Sequence, residues 1–367
     1  MSACGGGSGT TVSSEQAVAS APASVTLGAM RSNYKNRFLV GAAIRHDHLT
    51  AADASALIKS QFSVVVAENV MKPSVISVSE GVYDFSEGDK MVVFAKANNI
   101  KLRGHTLVWH NQAAPWMFAD KPGKAVLLAR MKCYINDVVT HFKGEVFAWD
   151  VVNEAFIGNG DGSPQLGATG WRDSNWLQGF GRTESGGMEF IAEAFKTARA
   201  ADPSALLFYN DYSTEDPKKS GLILKLIDDL KKQGVPIDGI GHQAHFSIAY
   251  PENWNALEQI IKNIAAKGLT NYITELDISL NRSFDGNEVT LPFPADRLAE
   301  QAAKYRGLFD MLIRNQEKVS AVLVWGLKDS ESWLNTYPIV RQDGPLLFDS
   351  ALQPKSAYQA VMDVAPL

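Results

Sequence analysis

Cysteine is scarce in this chain, with only Cys4 and Cys133 in 367 residues. No disulfide framework can staple the fold, which must rest on a packed core. No apolar run approaches the ~18 to 20 residues that span a bilayer as a helix. A basic stripe is also missing, and the net charge of -5 argues against nucleic acid as a partner. No glycine-rich phosphate loop follows the first apolar strand, and flavin and nicotinamide fingerprints are absent, so no cofactor is expected. Hydrophobic residues make up 46% and charged residues 20%, ordinary values for a globular protein with a sizeable core.

Residues 1–26 (MSACGGGSGTTVSSEQAVASAPASVT) are small, rich in Gly, Ser and Ala, and without periodicity, which reads as a flexible linker. Met1-Ser2-Ala3-Cys4 followed by glycines resembles the cleavage end of a bacterial lipoprotein signal, in which a Cys after small residues becomes the lipidated N-terminus. The apolar signal region is missing ahead of it, so Met1 reads as placed before a remnant. The competing reading is an ordinary tail with a chance cysteine. The expectation is a lipid anchor through Cys4 and a location that is secreted or at a bacterial cell surface, as an outer-membrane lipoprotein. Cys133 falls in a helical pattern with Val126, Leu127, Met131, Ile135, Val138, Val139 and Phe142 and is expected to be a buried, inert thiol.

From Phe38 onward, short apolar strands alternate with amphipathic helices. The strands read as 38–44, 62–67, 101–109, 146–152, 205–209, 239–245, 272–277 and 319–325. Helical patterns fill the gaps, for example 187–201, 218–232 and 297–315, with a last one starting near Pro354. Eight such units with short connections and no second composition regime predict a single α/β domain over 27–367. Its strands would close into a parallel (β/α)8 barrel. A doubly wound open sheet is the alternative, disfavoured because polar clusters end nearly every strand. Residues 158–187, rich in Gly, Ser and Asp, read as a long insertion after strand four that shapes a cleft.

In a closed barrel the C-terminal strand ends converge on one face. Reading them round gives Glu68, Asn69 and Lys72 after strand two, then His105, Trp109, His110 and Gln112 after strand three. Asn153-Glu154 follows strand four and Asn210-Asp211-Tyr212 strand five. Gln243 and His245 lie on strand six, Glu275 and Asp277 on strand seven, and Trp325 and Trp333 after strand eight. Residues two apart share a strand face, so Gln243 is expected beside His245 and Glu275 beside Asp277. Glu154 and Glu275 each end a strongly apolar stretch, where a carboxylate is costly unless it is paired or used. Two such acids on different strands suit cleavage of a glycosidic bond, one as proton donor and one as nucleophile or base. Structural ion pairs are the bland alternative. The rings, amides and acids together suit a neutral, polyhydroxylated ligand.

The segments RGHTLVWHNQ, WDVVNEAF, YNDY, GIGHQAH, ITELDI and VWGLKDSESWL, in this order and spacing, resemble glycoside hydrolase family 10, the retaining endo-β-1,4-xylanases, from about Phe38 to the C-terminus. The resemblance implies the same eight-stranded TIM barrel acting on xylan and xylo-oligosaccharides, and a monomer is expected. It implies Glu154 as general acid/base with a raised pKa, and Glu275 as nucleophile. His245, oriented by Asp277, would fix the nucleophile, and Asn153 would bond the sugar 2-hydroxyl. Glu68, Asn69, Lys72, His105, Trp109, Gln112, Trp325 and Trp333 would line the glycone side, Trp325 and Trp333 crowding a hexose hydroxymethyl group. Gln243 would also contact substrate, and Asn210 and Tyr212 would meet the leaving-group side. Pro73, where the family usually has Trp, and the shifted proline in Gln112-Ala113-Ala114-Pro115-Trp116 depart from the pattern and bear on distal subsites.

Two rivals remain. A metal-dependent hydrolase could draw on His46-Asp47-His48, His242, His245 and Asp329, but strands four and five lack the Lys or His ligands such sites need. No metal is therefore expected. A non-catalytic xylan-binding protein would keep the aromatic cleft, yet it would be expected to have lost one of the two acids.

Overall fold

The computed structural model describes residues 28–365. The tail reading and its Cys4 lie outside the described residues. Eight parallel strands form the centre: β1 Leu39–Ile44, β2 Val64–Ala67, β3 Lys101–Trp109, β4 Val146–Asn153, β5 Leu206–Asp211, β6 Gly239–His242, β7 Thr270–Ser279 and β8 Val319–Val324. Each pairs with the next, and β8 pairs back onto β1 with Leu39 opposite Ala321, so the barrel is closed. Eight helices follow the strands in turn: α1 Ala52–Gln61, α2 Ser86–Ala97, α3 Lys124–His141, α4 Glu184–Ala201, α5 Pro217–Lys232, α6 Asn255–Ala266, α7 Ala295–Arg314 and α8 Ser356–Val364. Closure excludes the open-sheet alternative.

The strands read as continuous apolar runs because both of their faces are covered. Ala43, Val64, Val66, Ala148, Phe208, Tyr272, Ala321 and Leu323 pack inside the barrel. Residues one step out of phase, such as Val65, Leu102, Leu207, Ile273 and Val322, join the core between strands and helices. One cation enters the inner core: Arg103 lies 4.5 Å from the Phe208 ring and 5.0 Å from that of Tyr272. Its charge is tolerable there because Asp150 accepts from its Nε at 3.2 Å and also from Nη2. Local signals set the helix starts. The Thr183 hydroxyl accepts from Gly186 N to cap α4, and the Asp216 carboxylate caps α5 ahead of Pro217.

Three expectations need correction. Strand six is broken: β6 ends at His242, and His245–Ser247 is a separate short strand paired only with β7. Ala244 between them has φ of 64°, so Gln243 and His245 do not share a strand face and are presented separately. The insertion after β4 is not all loop. It contains the helix Asn175–Gly179, capped by Ser174, and residues 184–187 already belong to α4. Cys133 is exposed, not buried. It stands two residues from both Met131 and Ile135, about 200° round the helix from the face they bury.

Candidate active site

Glu154 follows the last residue of β4 with φ of 56°, a left-handed backbone that a residue with a Cβ adopts only under constraint. The constraints are visible. Its N–H donates to Asn210 O at 3.0 Å, its carbonyl accepts from Arg172 Nε at 2.8 Å, and the next N–H donates to Tyr209 Oη at 3.1 Å. That geometry turns the side chain inward, where Oε1 accepts from Gln243 Nε2 at 2.9 Å and Asn153 Nδ2 at 3.2 Å. His110 Nδ1 is 3.7 Å from Oε2.

Glu275 sits in the middle of β7, and Gln243 O accepts from its N–H at 3.0 Å. Its Oε1 accepts from Asn210 Nδ2 at 2.7 Å, and His245 Nε2 lies 3.5 Å from its Oε2. Asn210 Nδ2 also donates to Asn153 Oδ1 at 2.9 Å. The two carboxylates therefore hang on one amide relay, Glu154–Asn153–Asn210–Glu275, with Gln243 bracing the Glu154 end. Gly241 on β6 makes room for this relay, since a Cβ there would collide with the Asn210 side-chain oxygen.

Behind Glu275, His245 Nδ1 is 2.9 Å from Asp277 Oδ2, which also accepts from Trp333 Nε1 at 2.8 Å. Burial works against charge on His245, but Asp277 and Glu275 outweigh it and push its pKa up to about 10. Burial pulls Asp277 upward as well. With an imidazolium and an indole N–H on one oxygen, its ionised form is the one the contacts serve.

The expected upward shift of Glu154 is not what the free site gives. Burial pushes the carboxyl up, but His110, Gln243 and Arg172 together hold it below the usual range. His110 is itself held down to about 4 by burial and Arg172, against the pull of Glu154. Above that pH its ring is neutral, so the Gln243 amide and the Arg172 cation are what favour the carboxylate at neutral pH.

The residues expected on the glycone side gather around Lys72, whose Nζ donates to Asn69 Oδ1 at 3.0 Å and Gln112 Oε1 at 2.9 Å and lies 5.2 Å from the Trp109 ring. Asn69 Nδ2 donates to Glu68 Oε1 at 3.1 Å. His105 Nδ1 faces Asp150 Oδ2 at 3.0 Å, and its ring meets Trp325 edge-on at 5.3 Å. Arg103, Asp150 and His105 thus form a column rising from the barrel core to the site. Pro73 is buried at the start of the short helix Pro73–Ile76.

Asn210 corrects its expected place. It is fully buried, and its amide is engaged by Asn153, Glu275 and Thr274, so it holds the carboxylates and does not line the leaving-group side. Tyr212 remains half-buried, its hydroxyl bonded to Asp161 and Arg172. Sequence reasoning missed Asp150, Asp161 and Arg172 and gave His110 no role. Period-two counting from Ala148 would have turned Asp150 inward, whereas nothing local marks Arg172. The groups of the metal reading are scattered. His48 meets Glu331 at 2.7 Å, His242 lies between Thr214 and Asn271, and Asp329 pairs with Lys355 at 2.9 Å.

The model of the family "Glycosyl hydrolase family 10" matches residues 29–364. A thermostable celloxylanase of Thermoclostridium stercorarium is 39% identical over 350 residues, covering 91% of this chain and 87% of the relative. A beta-1,4-xylanase of Dictyoglomus thermophilum is 41% identical over 334 residues, covering 91% and 90%. Among solved structures, xylanase B from Clostridium stercorarium F9 superposes with a TM-score of 0.84 at 38% identity, covering 92% of this chain and all of that one. A mutant structure in complex with xylotriose gives a TM-score of 0.84 at 32% identity, covering 91% of this chain and 99% of that one.

Proposed function

The chain belongs to glycosyl hydrolase family 10, and from that premise we propose that it hydrolyses internal β-1,4-xylosidic bonds of xylan and xylo-oligosaccharides with retention of anomeric configuration. The observation that carries the assignment of roles is the amide relay joining Glu154 to Glu275, with the His245–Asp277 pair behind only one of them. The His245 ring on one side of Glu275 and the Asn210 amide on the other aim its carboxylate, as a nucleophile must be aimed. It attacks the anomeric carbon while Glu154 protonates the departing oxygen. The resulting ester removes the charge of Glu275, and Glu154 then takes a proton from the water that hydrolyses the glycosyl-enzyme. Asn153, held between the two acids, bonds the 2-hydroxyl, and Lys72, Gln112 and His105 bond the glycone sugar. Incubation with soluble xylan and sizing of the products tests this reading. Short oligosaccharides carry it, and intact polymer retained on the protein would leave a lectin.

Glu154 must be protonated to begin, although the free site favours its carboxylate. A sugar in the cleft strips water from the carboxyl and offers the glycosidic oxygen as acceptor for its proton, both of which favour the acid form. The profile of kcat/KM reports the free enzyme and that of kcat the complex. The basic limb of kcat is therefore expected at higher pH than that of kcat/KM. Coincident limbs, measured with one xylo-oligosaccharide, would show that substrate does not shift the acid.

We further propose that the protein acts as a monomer and that a lipid on Cys4 tethers it to a bacterial surface. The support is sequence alone: a cysteine after small residues, then about twenty residues of linker-like chain. With a full lipoprotein signal placed upstream, labelled palmitate and membrane fractionation are expected in the wild type and lost in Cys4→Ser. Unlabelled wild type in the medium would make Cys4 incidental.

A further inference from the structure

Glu154 is the one acid of the pair whose backbone is strained, and the residue that accepts this strain from outside the barrel is Arg172. Its Nε donates to the Glu154 carbonyl at 2.8 Å, and its own N–H donates to Ala155 O at 2.9 Å. Nη2 donates to Tyr212 Oη at 2.5 Å, and that hydroxyl donates to Asp161 Oδ2. Asp161 and Arg172 stand 3.9 Å apart as an ion pair with little side-chain exposure. The three side chains come from the start and the middle of the insertion after β4 and from the residue that follows β5. None is a strand-borne acid, and none has been given a part in the bond-breaking step.

We propose that Arg172, with its charge partly balanced by Asp161 across the Tyr212 hydroxyl, is a positioning residue that holds Glu154 in its left-handed backbone and sets how readily that acid gives up its proton. The proposal rests on the reading of Glu154 as acid/base. A cation near a carboxyl stabilises the ionised form, and an anion beside that cation weakens the effect. Both Arg172 and the carboxyl lie largely out of water, so the influence is screened less than at a surface. Other titratable groups face Glu154 too: the His110 ring after β3, Lys72 after β2, Asp211 on β5 with Lys219 behind it, and Glu275 on β7 with His245. Arg172 differs from these in touching the backbone of Glu154 itself, so it joins the geometry of the acid to its charge. Asp161 makes that join adjustable from the loop.

The sign follows. The first step needs Glu154 protonated, so kcat/KM falls as pH rises through the pKa of the free acid. Arg172→Met removes a cation and should move the basic limb to higher pH. Asp161→Asn leaves Arg172 unopposed and should move it to lower pH. Arg172→Lys keeps the charge without the fork of donors. It should restore the limb towards wild type while kcat stays reduced, because the carbonyl contact is not reproduced in the same geometry. Profiles on an activated aryl xyloside and on xylotetraose separate the roles, since only the second needs full protonation of the leaving group. Opposite displacements for Arg172→Met and Asp161→Asn support the proposal. Limbs that stay at the wild-type pH, or move together, overturn it, and Asp161→Asn keeps it falsifiable if Arg172→Met fails to fold. A wild type that leaves xylan intact would instead overturn the reading beneath it.

Discussion

Glu275→Ala is expected to abolish xylan hydrolysis, with a fall of roughly 10⁴-fold or more, the scale on which loss of a nucleophile acts in covalent enzymes. The substitution removes the attacking oxygen and little else of the cleft, so binding of xylo-oligosaccharides should remain close to wild type. Neighbouring groups keep partners: Asn210 retains its bond to Asn153, and His245 retains Asp277. Glu275 is largely buried, and loss of its carboxylate leaves room for a small anion. Added azide should enter it, attack the anomeric carbon from the vacated side and release an activated phenol from an aryl xyloside. The azide product would have inverted configuration, because one displacement replaces two. Substantial xylan cleavage by the variant without azide would sink the assignment of the nucleophile.

Glu154→Ala should behave differently, and the difference should follow the leaving group. A phenol with a good leaving tendency needs no proton, so its release should survive. Xylan, whose leaving group is a sugar alkoxide, should lose roughly 10²- to 10⁴-fold, the usual worth of a general acid. Alanine meets the same left-handed backbone as glutamate at this position, so the variant inherits the strain without adding to it. Its glycosyl-enzyme would lack a base for water and should accumulate. Azide needs no base and should rescue turnover with retained configuration, the opposite stereochemistry from the Glu275 variant. Equal losses on phenol and sugar leaving groups would show that Glu154 is not the acid.

The barrel was legible because its signals are local and repeated. Strand runs such as Val64-Val65-Val66-Ala67 are apolar on both faces, the helices carry their own period, and the polar residues sit where each run stops. Glu154, Glu275, His245 and Asp277 could be named on that ground together with their resemblance to family 10. What could not be read was how the amides are distributed among the acids. Asn210 looked like a cleft residue because it ends a strand, yet which neighbour engages its amide depends on Gly241 and Asn153, distant in sequence. The left-handed turn at Ala244 defeated period-two counting for Gln243 and His245, since alanine carries no signal for positive φ. Arg172 lay hidden for a similar reason, because its partners are a backbone carbonyl and a tyrosine forty residues away.

The left-handed residues are not spread evenly. Gln112, Glu154 and Ala244, with φ of 46°, 56° and 64°, follow β3, β4 and β6 at the same end of the barrel. Each conformation costs on the order of 1 kcal/mol or more, a sum comparable to a good part of a domain's net stability. The two ends of the molecule are thus under different obligations. One holds costly shapes in readiness for chemistry and depends on the other, together with the helical jacket, for its durability. Gains in heat tolerance have room to accumulate in the jacket and the closed end, where no functional geometry has to be preserved. At the open end the same gains would come from relaxing the conformations on which turnover depends, so endurance and speed are written into opposite poles of one fold.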